Sequence, residues 1–142
     1  ELKLIWTLRE DVSVLAKKSN YDQHFDISLP IPVIENEVNI AIKKLNKLAY
    51  VENIFVFGHL ADGNIHFIIG KSKNDEEKTK KINEIIYENL RENLGSVSAE
   101  HGIGIDKKAY LKTSRSNTEI DLMNRLKKSL DPKNILNTGR II

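Results

Sequence analysis

The sequence predicts an α+β fold: a ferredoxin-like antiparallel sheet with helices packed on one face, plus flanking N- and C-terminal helices. Three observations carry this. Between residues 25 and 99 the elements follow the order β-α-β-β-α-β, the split βαβ arrangement. Two of those segments repeat apolar residues at helical spacing. Two others are β-rich runs separated by turn residues, which reads as a hairpin.

Each element has its own local signal. Residues 1–18 read as a helix with Ile5, Leu8, Val12 and Leu15 on one face. "FDISLP" (25–30) is a short β-like run that Pro30 and Pro32 end, and Pro32 suits the first turn of a helix over about 32–49. Val38, Ala41, Ile42, Leu45 and Leu48 form that helix's apolar stripe. "NIFVFGHL" and "NIHFII" are the hairpin strands. Asn74 suits the N-cap of the next helix, and Asp75, Glu76 and Glu77 suit the positive end of its macrodipole. Ile82, Ile85, Ile86 and Leu90 supply its buried face, with Gly95 as its exit. "SVSA" (96–99) is a short strand. A last helix, about 116–130, is expected to bury Leu122, Met123, Leu126 and Leu130 and to stop at "DP".

Composition bounds the function. A chain of 142 residues, 40% hydrophobic and 30% charged, makes one domain with a core of its own. A net charge of +2 gives no reason to expect nucleic acid, and the lysine groups at 43–47 and 78–81 lie on helices as solvated faces. The absence of cysteine excludes disulfides, thiolate metal sites and cysteine nucleophiles. No stretch approaches the roughly 18 apolar residues of a membrane helix. The chain begins "ELKLIWTLRE", with neither an initiator methionine nor a signal peptide, as expected for a piece of something longer.

Two of the four histidines, His59 and His66, stand symmetrically around "LADGNI". Asp62-Gly63 is a type I′ turn signal, and with those two at the turn, or with a four-residue loop from Ala61 to Asn64, His59 opposes His66. Opposed residues share a face with Cβ atoms roughly 4.5–5.5 Å apart, close enough for two imidazoles to bind one ion. Two histidines flanking a hairpin also pair on a surface without binding anything. Zinc takes three protein ligands when catalytic, so a third is needed. "SAEHGIG" (98–104) offers Glu100 as a carboxylate and His101 as a base, although the same pair suits an exposed loop. Neighbouring residues of an extended chain point in opposite directions, so both serve one site only across a kink. In a simple ferredoxin-like sheet the strand ending at Ala99 also leaves at the end opposite the 59–66 turn, which conflicts with Glu100 reaching the histidines.

"GHLADGNIHF", "SAEHGIGIDKKAYL" and "LDPKNILNTGRII" together resemble the C-terminal domain of FAD-linked oxidases of the vanillyl-alcohol oxidase type. That group includes D-lactate dehydrogenase, the glycolate oxidase flavin subunit and D-2-hydroxyglutarate dehydrogenase. The resemblance covers nearly all of residues 1–142. It implies a single cap and substrate domain, a fragment without the N-terminal FAD-binding domain. By the same resemblance His59, His66 and Glu100 match metal ligands (zinc or manganese), and His101 matches the general base. Arg9 matches an arginine that grips the substrate carboxylate, Ser13 a hydroxyl near the substrate, and His24 a pocket position that is lysine in many hydroxyglutarate-type members. Ala61 replaces a common glycine, and Ile68 stands where those members have asparagine and lactate- and glycolate-type members are apolar. No residue is assigned to the flavin, because no G-x-G-x-x-G pattern links strand and helix.

The implied function is oxidation of a small D-2-hydroxy acid to a 2-oxo acid with hydride transfer to FAD. The alternatives are a stand-alone metal-dependent hydrolase, which would turn over without flavin, and a non-catalytic ferredoxin-like ligand-binding module, since fold does not fix function. The expected compartment is cytoplasmic, or peripheral to the inner membrane, with the downstream electron acceptor left open.

Overall fold

The structure, a computed structural model, describes residues 2–10 and 19–142, without the side chains of 8–10. In chain order it holds α1 (Leu2–Glu10), β1 (Tyr21–Ser28), α2 (Ile31–Leu45), β2 (Val51–His59), β3 (Asn64–Lys71), α3 (Glu76–Tyr87) and α4 (Asn117–Leu130), with 3-10 turns at Leu60–Asp62 and Lys108–Thr113. The strands form one three-stranded antiparallel sheet in the order β1-β3-β2. Helices and an antiparallel sheet make the fold α+β, as the sequence predicts.

Strand alternation sorts the residues into two faces. Phe25, Ile27, Ile65, Phe67 and Ile69 point to one, where they pack with Ala41 and Leu45 of α2 and Ile82 and Ile86 of α3. Asp26, Asn64 and His66 point to the other. The hydrophobic core therefore supports the sheet from behind, and the second face carries these polar groups beside Phe57 and the buried Ile68.

The helix stripes of α2 and α3 are buried or half-buried as expected, with shifted ends. α2 begins at Ile31 with Pro32 in its first turn. The α3 N-cap is Asp75 rather than Asn74, its carboxylate accepting from the Lys78 N–H at 3.0 Å. α3 ends at Tyr87, seven residues' worth of irregular turns before Gly95, and Asn89 takes the left-handed conformation (φ 62°) that lets the chain leave. Gly95 is needed for another reason: a Cβ there would meet the Ser28 carbonyl oxygen at 2.7 Å.

Two expectations change. α4 forms over the expected residues under a Ser116–Glu119 capping box, but Leu122, Leu126 and Leu130 are exposed rather than buried, and Met123 is half-buried. The apolar stripe is real, yet nothing among the described residues covers it. The "SVSA" strand is reduced to a single bridge, Ser28 to Ser96, with backbone bonds of 3.1 and 2.9 Å.

That bridge lies beside β1, where a ferredoxin-like fourth strand belongs, and it resolves the topological conflict. Ser28 is opposite Asn64, and the Leu29 N–H donates to the Gly63 carbonyl at 3.0 Å, so Ser96 enters at the hairpin's turn end. The segment then advances only to Asp26, whose carbonyl accepts from the Ala99 N–H at 3.2 Å, before it turns away. Asp26 is the register partner of His66. A full-length strand would have carried Glu100 away; the shortened one leaves it beside the histidines.

Candidate metal and active site

The hairpin turn fixes the first two candidates. Leu60–Asp62 forms a 3-10 turn closed by the Gly63 N–H donating to the Leu60 carbonyl at 3.1 Å, with Gly63 left-handed at φ 64°. The loop is therefore Leu60–Gly63, not Asp62–Gly63 alone. It pairs His59 with Asn64 and Phe57 with His66, so the expected direct pairing of His59 with His66 is not found. An offset of two residues keeps the same face, and the two rings lie diagonally, 6.1 Å apart and nearly perpendicular. The face was right and the register was not.

His59 is exposed on the edge strand, with its Nδ1 3.3 Å from the Asn64 side-chain nitrogen. His66 is on the central strand, its side chain only 12% exposed, with Phe57 against one side at 5.3 Å. Burial pushes the His66 pKa down; Glu100 and Asp26 pull the other way, and the neighbouring His101 and His59 add to the lowering. The lowering favours the neutral ring, the form that binds a metal.

Glu100 and His101 reach the same place. A Glu100 carboxylate oxygen is 3.2 Å from His66 Nε2. The His101 ring stacks on His66 at 5.5 Å, tilted by 30°, and its side chain is 64% exposed. His101 Nδ1 lies 3.8 Å from Asp26 and Nε2 lies 3.6 Å from Glu100. The kink required for both residues to serve one site is present.

The donor set fits a divalent cation. One ligand atom from each of His59, His66 and Glu100 lies within 4.8 Å of the others. Ligands about 2.1 Å from a tetrahedral ion stand roughly 3.4 Å apart, so small side-chain movements complete the arrangement. Two imidazoles and a carboxylate suit zinc and accommodate manganese.

The remaining expected residues divide. His24 is exposed on β1, on the same face as Asp26 and His66 and paired in register with Ile68. Arg9 lies on α1 with its side chain outside the description, and Ser13 lies outside the described residues.

Sequence reading missed Asp26. It is 1% exposed and accepts from the backbone N–H groups of Ala99 (3.2 Å), Glu100 (3.1 Å) and His101 (2.9 Å), the Ser98 hydroxyl (2.7 Å) and Lys107 Nζ (3.1 Å). Burial alone would raise its pKa; those hydrogen bonds outweigh it and hold the carboxyl well below the usual range. The available signal was an acid flanked by apolar residues inside a strand, where aspartate is disfavoured.

Comparison with known proteins gives this geometry a context. Residues 1–141 match the family model described as FAD linked oxidases, C-terminal domain. Over 137 residues the chain is 36% identical to the mitochondrial D-2-hydroxyglutarate dehydrogenases of Danio rerio and Arabidopsis thaliana, covering 96% of this chain and 25% and 24% of theirs. It is 32% identical over 149 residues to D-2-hydroxyglutarate dehydrogenase of Stutzerimonas stutzeri, covering 99% of this chain and 31% of that one. The chain spans about a quarter of the length of the curated relatives it matches. Among the described residues no helix is long and apolar enough to cross a membrane.

Proposed function

The chain belongs to the family of FAD-linked oxidase C-terminal domains, and from that premise we propose that it is the substrate domain of a flavin-dependent D-2-hydroxy-acid dehydrogenase. The substrate is a small 2-hydroxy acid of the hydroxyglutarate, lactate or glycolate type, and the product the 2-oxo acid. FAD, which an N-terminal domain of the same enzyme would hold, would supply the redox chemistry as the hydride acceptor. The observation that carries the reading is the convergence of His59, His66 and Glu100 beside His101 on the open face of the sheet.

His59, His66 and Glu100 would hold zinc or manganese, which supplies Lewis acidity to a substrate hydroxyl. His101 takes the hydroxyl proton. Its Nε2, 3.6 Å from a Glu100 oxygen, is the ring nitrogen nearer the ligand set, and Nδ1 lies 3.8 Å from Asp26. Phe57, packed on His66, limits the ring's freedom and so keeps that ligand in place. Arg9 orients the substrate carboxylate as a bidentate clamp, with Ser13 and His24 at the pocket's margin.

The division of roles is tested in the intact enzyme by His101→Ala. Metal content should stay near that of the parent while kcat falls by about 10²–10⁴. Loss of metal in step with activity would refute the division.

A further inference from the structure

We infer that Asp26 is a positioning residue, which folds the 98–101 turn around its carboxylate and thereby aims Glu100 and His101 at the histidine pair. The inference rests on reading His59, His66 and Glu100 as a metal site, and adds the device that assembles it.

The segment after Ser96 faces a conflict. Continued as a strand beside β1, it would satisfy its backbone through the ladder, but Glu100 and His101 would point to opposite sides. Turned away from β1, it leaves several N–H groups without ladder partners, a costly state near a buried surface. Asp26 removes the conflict. The N–H groups of three consecutive residues, Ala99, Glu100 and His101, converge on its two oxygens at 2.9–3.2 Å, forming an anion-binding nest. In that curled backbone the two neighbouring side chains fan toward the same side. One reaches His66 Nε2 at 3.2 Å and the other stacks on its ring.

The location of Asp26 adds precision. It lies on β1 as the register partner of His66 on β3, so one carboxylate ties the turn to the neighbour of the strand that carries a ligand. The charge is balanced within the same cluster: Lys107 Nζ reaches the Asp26 carboxylate and the Ser98 hydroxyl, each at 3.1 Å, and its side chain is only 13% exposed. Lys107 follows the glycine-containing loop 102–104, so this ion pair also closes the loop that leaves the site. Asp26 touches neither substrate nor ion in this role. It acts through the two residues that do.

The test is metal affinity in the intact enzyme, measured for zinc and manganese by competition with a chelator, well below each variant's unfolding temperature. Asp26→Asn should lower affinity about 10- to 100-fold, the range for groups that orient metal ligands. Ser98→Ala, which removes one bond to the same carboxylate, should lower it less and serves if Asp26→Asn does not fold. Asp75→Ala, which removes the α3 cap beyond the end of β3 opposite the hairpin turn, should lower thermal stability without changing affinity. If the parent binds an ion and both Asp26→Asn and Ser98→Ala bind it as tightly, the positioning role is wrong and the site stands. If the parent takes up neither ion, the metal reading fails and this inference with it.

Discussion

Gly63 shows how much of the site depends on single residues. Its φ of 64° is favourable for glycine, and a Cβ built there would lie 2.2 Å from the Leu29 carbonyl oxygen. Alanine would have to move either the hairpin turn or the β1–α2 connection, so Gly63→Ala should cost about 1–3 kcal/mol, read as a lowered unfolding midpoint in urea. The same substitution should disturb His59, which the turn carries. At this scale the sequence was informative where chemistry is concentrated in rare residue types: with four histidines in the chain, two around one turn stand out. Glu100 and His101 could be named for the same reason. Asp26 was passed over, because an acid between apolar residues of a strand hints at burial but, as one of 20 acidic residues, says nothing of its partners. Its role depends on which backbone later folds around it.

Elements were legible where local periodicity decides them. The stripes of α2 and α3 and the two hairpin strands follow directly from apolar spacing, whereas the expected fourth strand is a single bridge, after which the Glu100 and His101 N–H groups go to the Asp26 carboxylate and that of Ala99 is shared between it and the Asp26 carbonyl. Register also escaped, since Asp62-Gly63 suits both a two-residue turn and the end of the longer loop that forms. After α4 the chain is held by another carboxylate. Asp131 is paired with Lys127 and accepts from the Ile135 and Leu136 N–H groups at 3.0 and 2.9 Å. The Lys127 bond lowers its pKa from 3.8 to about 2; burial opposes this, and the two backbone bonds add to the lowering. A depressed folded-state value means that the contribution is complete above 3.8 and disappears as pH falls through about 2. The stability difference between the parent and Asp131→Asn should therefore be flat above about pH 5 and shrink steadily in acid, measured by urea unfolding at each pH. A difference that grew in acid would reverse the assignment.

For the molecule as a whole, the core lies behind the sheet and the candidate chemistry lies on its front. α2 and α3 bury Ala41, Leu45, Ile82 and Ile86 against one face. His59, His66, Asp26 and His24 share the other. The amphipathic pattern of α4 foretold a helix but not its cover: Leu122, Leu126 and Leu130 remain exposed among the described residues. Periodicity reveals that a face is apolar, and only the surroundings decide what meets it. The family relationship identifies the domain, and the flavin partner and the substrate class are the proposal built on it. The central claim is that a divalent ion joins His59, His66 and Glu100 in the intact enzyme. Anomalous diffraction at the zinc and manganese edges tests it most directly. It should place one ion per chain about 2.0–2.2 Å from a nitrogen of each histidine and an oxygen of Glu100, within reach of His101. An ion held elsewhere, with the Glu100 carboxylate outside its coordination sphere, would contradict the account.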